Sequence, residues 1–108
     1  MLRKKHTFTI TICLLLAMFL ATQVQAKGNA ERGGDLSGDC IECHGMEGKG
    51  DFETPPIAGL KESYILKQLR AFNSNKRKST DNIMHLYTED RTDQELQDLA
   101  AFWASKPK

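Results

Sequence analysis

Two thiols and an imidazole stand within five positions in Cys40-Ile41-Glu42-Cys43-His44, the densest group of chemically capable side chains in the 108 residues. Cysteines three apart lie on one side of a helical turn, so both can react with a single flat partner. A histidine directly after the second can turn its ring toward that partner. C-x-x-C-H is the pattern of covalent haem attachment: the thiols add across two vinyl groups of one porphyrin as thioethers, and the imidazole becomes the proximal axial ligand of the iron. Gly45 follows with no side chain to crowd the ring edge.

Two other chemistries use the same residue types. A thiol–disulfide centre also uses C-x-x-C, but on a βαβ framework, and no alternating run of Val, Ile or Thr appears after residue 26. Structural zinc needs four ligands, and Cys40, Cys43, His44 and His85 would be an unusual set.

The third cysteine, Cys13, sits in a segment expected to be removed. Arg3, Lys4, Lys5 and His6 precede an apolar run over residues 8–21, and Val24-Gln25-Ala26 supplies the small residues of a cleavage site. The run of roughly 14 residues is short of the about 20 that span a bilayer. Residues 1–26 therefore read as a cleaved export signal and 27–108 as the working domain, periplasmic and not membrane-embedded after cleavage; a retained N-terminal anchor is the alternative. The 82 residues that remain carry 12 basic and 14 acidic side chains, so the formal charge moves from +1 to −2. Nucleic acid is an unsuitable partner for an exported acidic chain.

Of those 82 residues only 27 are apolar. Ordering a chain this short costs about 1.5 kcal/mol per residue, and domains of this size need a staple or a large apolar insert. A porphyrin is such an insert.

The pattern around the motif is helical and predicts an all-α fold. Asn29 can cap a first helix that runs to about Gly45, and Gly33-Gly34 within it suggests either a close helix crossing or a broken start. Residues 46–59, with Gly48, Gly50 and Pro55-Pro56, are a wrapping loop. Tyr64, Ile65, Leu66, Leu69 and Phe72 fall on one face of a helix over 63–73. A polar stretch with Lys76-Arg77-Lys78 follows, either a solvated loop or a patch that steers an acidic partner. Met84 then stands in the apolar cluster Ile83, Met84, Leu86 and Tyr87. Thr92 and Glu95 form a capping box for a last helix over 93–105, faced by Leu96, Leu99, Ala100, Phe102 and Trp103. Glu89, Asp90, Asp93, Glu95 and Asp98 read as a solvated helix start with favourable dipole interactions.

Taken together, Cys40 to Gly45, Pro55-x-Ile57-Ala58-Gly59, Tyr64 with Gln68-Leu69 and Phe72, Arg77, Met84 and Leu99-Ala100-Ala101-Phe102 resemble a small bacterial class I c-type cytochrome over nearly the whole of 27–108. The spacing from Ser79 through Ile83-Met84 to Thr92 also resembles the cytochrome subunit of flavocytochrome c sulfide dehydrogenases. The resemblance implies three main helices and loops wrapped around one covalently bound haem c. It also implies Met84 as the distal axial ligand, the Pro55 carbonyl as acceptor for the ring N–H of His44, and Gly33 or Gly34 meeting Phe102 where the terminal helices cross. A thioether opposite an imidazole favours ferrous iron and raises the potential. His85 is the rival ligand and would lower it. Arg91 and Leu60 depart from the family's usual leucine and glutamine.

Iron with two protein ligands has no open site, so the expected function is outer-sphere transfer of one electron. No Ser/His/Asp set and no phosphate-cradling glycine loop points to an enzyme, and no small-molecule substrate is expected. The expected partners are redox proteins, with a flavoprotein dehydrogenase as the named candidate. The alternative is a haem enzyme or gas sensor in which Met84 leaves the iron or never binds it.

Overall fold

A computed structural model of the protein describes residues 27–108; the expected export signal and its Cys13 lie outside them. The described chain is all-helical, as the polar periodicity requires. The helices are α1 (Ala30–Leu36), α2 (Gly38–His44), α3 (Glu62–Asn73), α4 (Ile83–Thr88) and α5 (Asp93–Ser105), with a 3-10 turn at Thr80–Asn82 ahead of α4. No helix among the described residues is long and apolar enough to cross a membrane.

Two differences from the sequence reading stand out. The single first helix is two helices, broken at Ser37, a residue with no solvent exposure. The Ser37 hydroxyl and N–H both donate to the Gly34 carbonyl, at 2.7 and 3.2 Å, which ends α1 early and lets α2 set off in a new direction. The short apolar cluster around Met84 is also a helix, α4. It was not legible because six residues give no helical period to read.

Helix α5 is the centre of the packing. Its capping box is complete: the Glu95 N–H donates to the Thr92 hydroxyl at 3.2 Å, and the Thr92 N–H donates to the Glu95 carboxylate at 2.8 Å. Its apolar face buries Leu96, Leu99, Ala100 and Trp103. Ile65 of α3, Ala100 and Trp103 form the core, with Cys40, Ile41, Leu66, Leu69 and Phe102 packed around it. The loop between α2 and α3 is drawn in by the Ile57 and Ala58 N–H groups, which both donate to the Gly48 carbonyl, and by the Gly59 N–H, which donates to the Trp103 carbonyl at 3.0 Å.

Helix α1 lies across α5 so closely that a Cβ on Gly33 would collide with the Asp98 carbonyl and stand 2.8 Å from the Phe102 Cβ. Gly34 faces the Phe102 ring. The crossing is locked by Asp98, which the sequence reading placed among solvated carboxylates. It is instead 1% exposed. Its carboxylate accepts from the Asn29 N–H at 2.8 Å, the Arg32 Nε at 2.7 Å and the Gln94 amide at 3.0 Å. Burial pushes this carboxyl up, but the bonds from Asn29, Gln94 and Arg32 outweigh burial and hold it below the ordinary carboxylate range.

Gly33→Ala should therefore destabilise the folded protein by about 2 kcal/mol in denaturant unfolding, because backbone and not a flexible side chain must give way. Asp98 with a depressed folded pKa contributes its full stability above the unfolded value of about 3.9, and that contribution is lost as pH falls through the folded value. Asp98→Asn should cost about 2 kcal/mol near pH 7 and clearly less near pH 3, measured as unfolding free energies.

Candidate haem site

Helix α2 carries both thiols and the imidazole. It ends immediately after His44 because Gly45 adopts φ +82°, while its N–H still donates to the Ile41 carbonyl at 2.9 Å. The chain then turns back on His44 from two sides. The Gly50 N–H donates to the His44 carbonyl at 2.8 Å, and the His44 ring nitrogen Nδ1 lies 2.9 Å from the Pro55 carbonyl oxygen. A carbonyl only accepts, so Nδ1 carries the proton and Nε2 presents its lone pair. The Asp51 carboxylate stiffens the intervening turn by accepting from the Glu53 and Thr54 N–H groups at 2.8 and 2.7 Å. The bonds from Thr54 and Glu53 hold that carboxyl below its ordinary range.

His44 is buried, Cys40 is half-buried and Cys43 is exposed; both cysteines are free thiols. Burial pushes the Cys40 thiol up, and the Arg91 charge opposes this only in part. A thiol–disulfide centre depends on a lowered thiol pKa, so Cys40 has the opposite character. No group of three or more His, Cys, Asp or Glu among the described residues is placed to hold a bare metal ion.

His85 is half-buried between α3 and the end of its own helix. Its Nδ1 lies 2.9 Å from the Phe72 carbonyl and its Nε2 lies 3.2 Å from the Glu89 carboxylate. Both ring nitrogens thus have protein partners. Met84 is half-buried on α4, and its neighbours Ile83, Leu86 and Tyr87 keep large apolar surfaces exposed. Within Lys76-Arg77-Lys78, Arg77 reaches Gln68 and lies over the Phe72 ring 4.7 Å from its centre, and Lys78 reaches Asn75. Arg91 pairs with Asp39 at 3.6 Å and Glu95 at 3.9 Å, tying α2 to the start of α5.

These residues fit a covalently held haem. Two free thiols three positions apart and an imidazole with Nε2 unclaimed, all on α2, form a donor set suited to an iron porphyrin rather than to a bare ion. What sequence reading missed here is the support for Met84. The Met84 N–H donates to the Ser79 hydroxyl, the Thr88 hydroxyl donates to the Met84 carbonyl, and the Asn73 amide donates to the Thr88 carbonyl. The four-residue step from Met84 to Thr88 was a usable signal; the reach of Asn73 across from α3 was not.

Five helices around a C-x-x-C-H segment whose histidine is oriented by a proline carbonyl define a class I c-type cytochrome. The family model for cytochrome c matches residues 30–105, and the chain belongs to that family. It is 33% identical over 98 residues to a cytochrome c4 of Pseudomonas aeruginosa, a match covering 90% of this chain and 48% of that protein. Among solved structures, cytochrome c4 of Acidithiobacillus ferrooxidans superposes with a TM-score of 0.66 at 27% identity, covering 89% of this chain and 63% of that one. Thiosulfate dehydrogenase of Marichromatium purpuratum superposes with a TM-score of 0.70 at 27% identity, covering 81% of this chain and 21% of that one. The chain spans about half the length of the cytochrome c4 relatives it matches. Membership brings covalently bound haem c and the electron-transfer chemistry of the family.

Because the ring nitrogens of His85 are engaged elsewhere, His85→Ala should leave the visible spectrum of the matured protein unchanged while lowering its stability by about 1 kcal/mol. A lost or shifted spectrum would make His85 the ligand.

Proposed function

We propose that the protein is an exported one-electron carrier, or the electron-accepting subunit of a redox complex, with one haem c attached through Cys40 and Cys43 and ligated by His44 and Met84. The observation that carries this reading is the buried imidazole of His44, its Nδ1 proton directed at the Pro55 carbonyl 2.9 Å away, immediately after two free thiols. Haem supplies a reversible one-electron couple.

The protein's own residues do the rest. The thiols of Cys40 and Cys43 would tether the haem to α2. The Pro55 carbonyl orients His44 and raises its basicity as a ligand. Met84 contributes a neutral, polarisable sulfur that favours the ferrous state. Two protein ligands leave no coordination position for substrate, so chemistry belongs to partners. Residues 1–26 act as the export signal and 27–108 as the cytochrome domain, working in the periplasm.

The partners are redox proteins. Structural likeness to part of a thiosulfate dehydrogenase supports a place beside an oxidoreductase of sulfur compounds, and a flavoprotein sulfide dehydrogenase is one such enzyme. The pinning of Arg77 and Lys78 by Gln68, Phe72 and Asn75 leaves Lys76 as the freest cation of the 76–78 stretch for steering.

The test is the matured protein itself. Its mass should equal residues 27–108 plus one haem, and its ferric spectrum should show the weak long-wavelength band of sulfur-ligated haem iron. Met84→Ala should abolish that band, lower the reduction potential and open the ferrous protein to carbon monoxide. A band that survives Met84→Ala, or a mass without haem, would sink the reading.

A further inference from the structure

Helix α4 is six residues long, far below the about 12 to 15 at which an isolated helix becomes marginally stable in water. Its own N-cap position offers no help: Asn82 sits in the left-handed region at φ 55° and makes no side-chain cap bond. A helix this short leaves most of its backbone groups without internal partners. Here side chains meet them, those of Ser79 and Asn73 from outside the helix and that of Thr88 from its last position. The Met84 N–H donates to the Ser79 hydroxyl at 2.9 Å, standing in for the missing cap. The Thr88 hydroxyl donates to the Met84 carbonyl at 2.7 Å, and Thr88 is itself 3% exposed, so water does not compete for that bond. Asn73 of α3 then closes the far end by donating to the Thr88 carbonyl at 2.6 Å.

Both polar backbone groups of one residue are thus gripped by side chains, and that residue is Met84. We propose that Ser79 and Thr88 are positioning residues that clamp the Met84 peptide and so set how readily its thioether yields the iron to an outside ligand. The inference rests on the reading of Met84 as the distal ligand. Displacing the sulfur needs α4 to shift or to unwind: a shift breaks the bond to Ser79, which lies outside the helix, unwinding breaks the bond from Thr88, which lies within it, and each bond therefore adds to the resistance against displacement.

The probe is imidazole, titrated into the ferric, haem-loaded protein and followed by loss of the long-wavelength band. Thr88→Val, which keeps the shape and removes the hydroxyl, should bind imidazole about fivefold more tightly, as expected for one lost hydrogen bond. Ser79→Ala should do the same, and Thr88→Ser should restore the behaviour of the unmodified protein. Gly33→Ala, which weakens the fold at the far helix crossing, should leave imidazole affinity unchanged. If Thr88→Val does not fold, Ser79→Ala carries the test alone. Unchanged affinity in the hydroxyl variants, or an equal rise in Gly33→Ala, overturns the clamp. With Met84→Ala lacking the band, only the clamp then fails; a band that persists in Met84→Ala removes the clamp and the ligand reading together.

Discussion

The proton on Nδ1 of His44 has one acceptor, the carbonyl of Pro55, and the consequences of that bond run through the molecule. It fixes the tautomer, so the other ring nitrogen must present a lone pair. It also fixes the ring plane, because a carbonyl acceptor tolerates little rotation of a buried imidazole. For the carbonyl to be there, the chain must reverse within eleven residues of His44. That reversal is why glycine appears where it does: a Cβ on Gly50 would collide with the Thr54 carbonyl, and its φ of +64° is costly for any other residue. The Asp51 turn, the left-handed end of α2 and the contact of Gly50 with the His44 carbonyl are parts of one device that delivers a single oxygen atom to a single nitrogen.

That device would be useless if α2 could drift, and a thin core does not hold a helix well. The restraint comes from the terminal crossing. Gly33 lets α1 approach α5 to backbone contact, and Asp98 converts the approach into two hydrogen bonds across the junction, from Asn29 and Arg32, while Gln94 steadies it from its own helix. Since α2 follows α1 after the break at Ser37, locking α1 also limits α2, while Cys40 packs against the core around Trp103. Arg91 adds a weaker tie from Asp39 to Glu95. The position of the imidazole is therefore set by contacts with residues some fifty positions away in the chain.

The parts of this arrangement that depend on local chemistry were legible in the sequence. C-x-x-C-H declares its purpose by residue type and spacing alone. The Asn29 cap and the Thr92–Glu95 box are three-residue patterns, and both are present as hydrogen bonds. What could not be read was tertiary. Asp98 lies in a run of carboxylates at a helix start, and only the arrival of α1 turns it from a solvated charge into a buried acceptor. Its spacing to Ala101 and Phe102, which share the face toward α1, is the one hint that it points inward. Ser37 looks like any helix serine until its hydroxyl and N–H are seen on the same carbonyl. Helix α4 defeats pattern reading for a related reason: its stability is borrowed from Ser79 and Asn73, which lie outside it.

The two proposed axial ligands consequently sit on supports of unequal stiffness. His44 ends a helix packed on the core and is held at its ring and its carbonyl by backbone groups, which have no alternative rotamers to sample. Met84 lies on a six-residue helix secured by hydroxyl and amide side chains, each bond worth about 1 kcal/mol net and each breakable by one rotation about χ1. With the ligands as proposed, moving Met84 would disturb a few side-chain bonds, whereas moving His44 would undo the α2 turn and its packing.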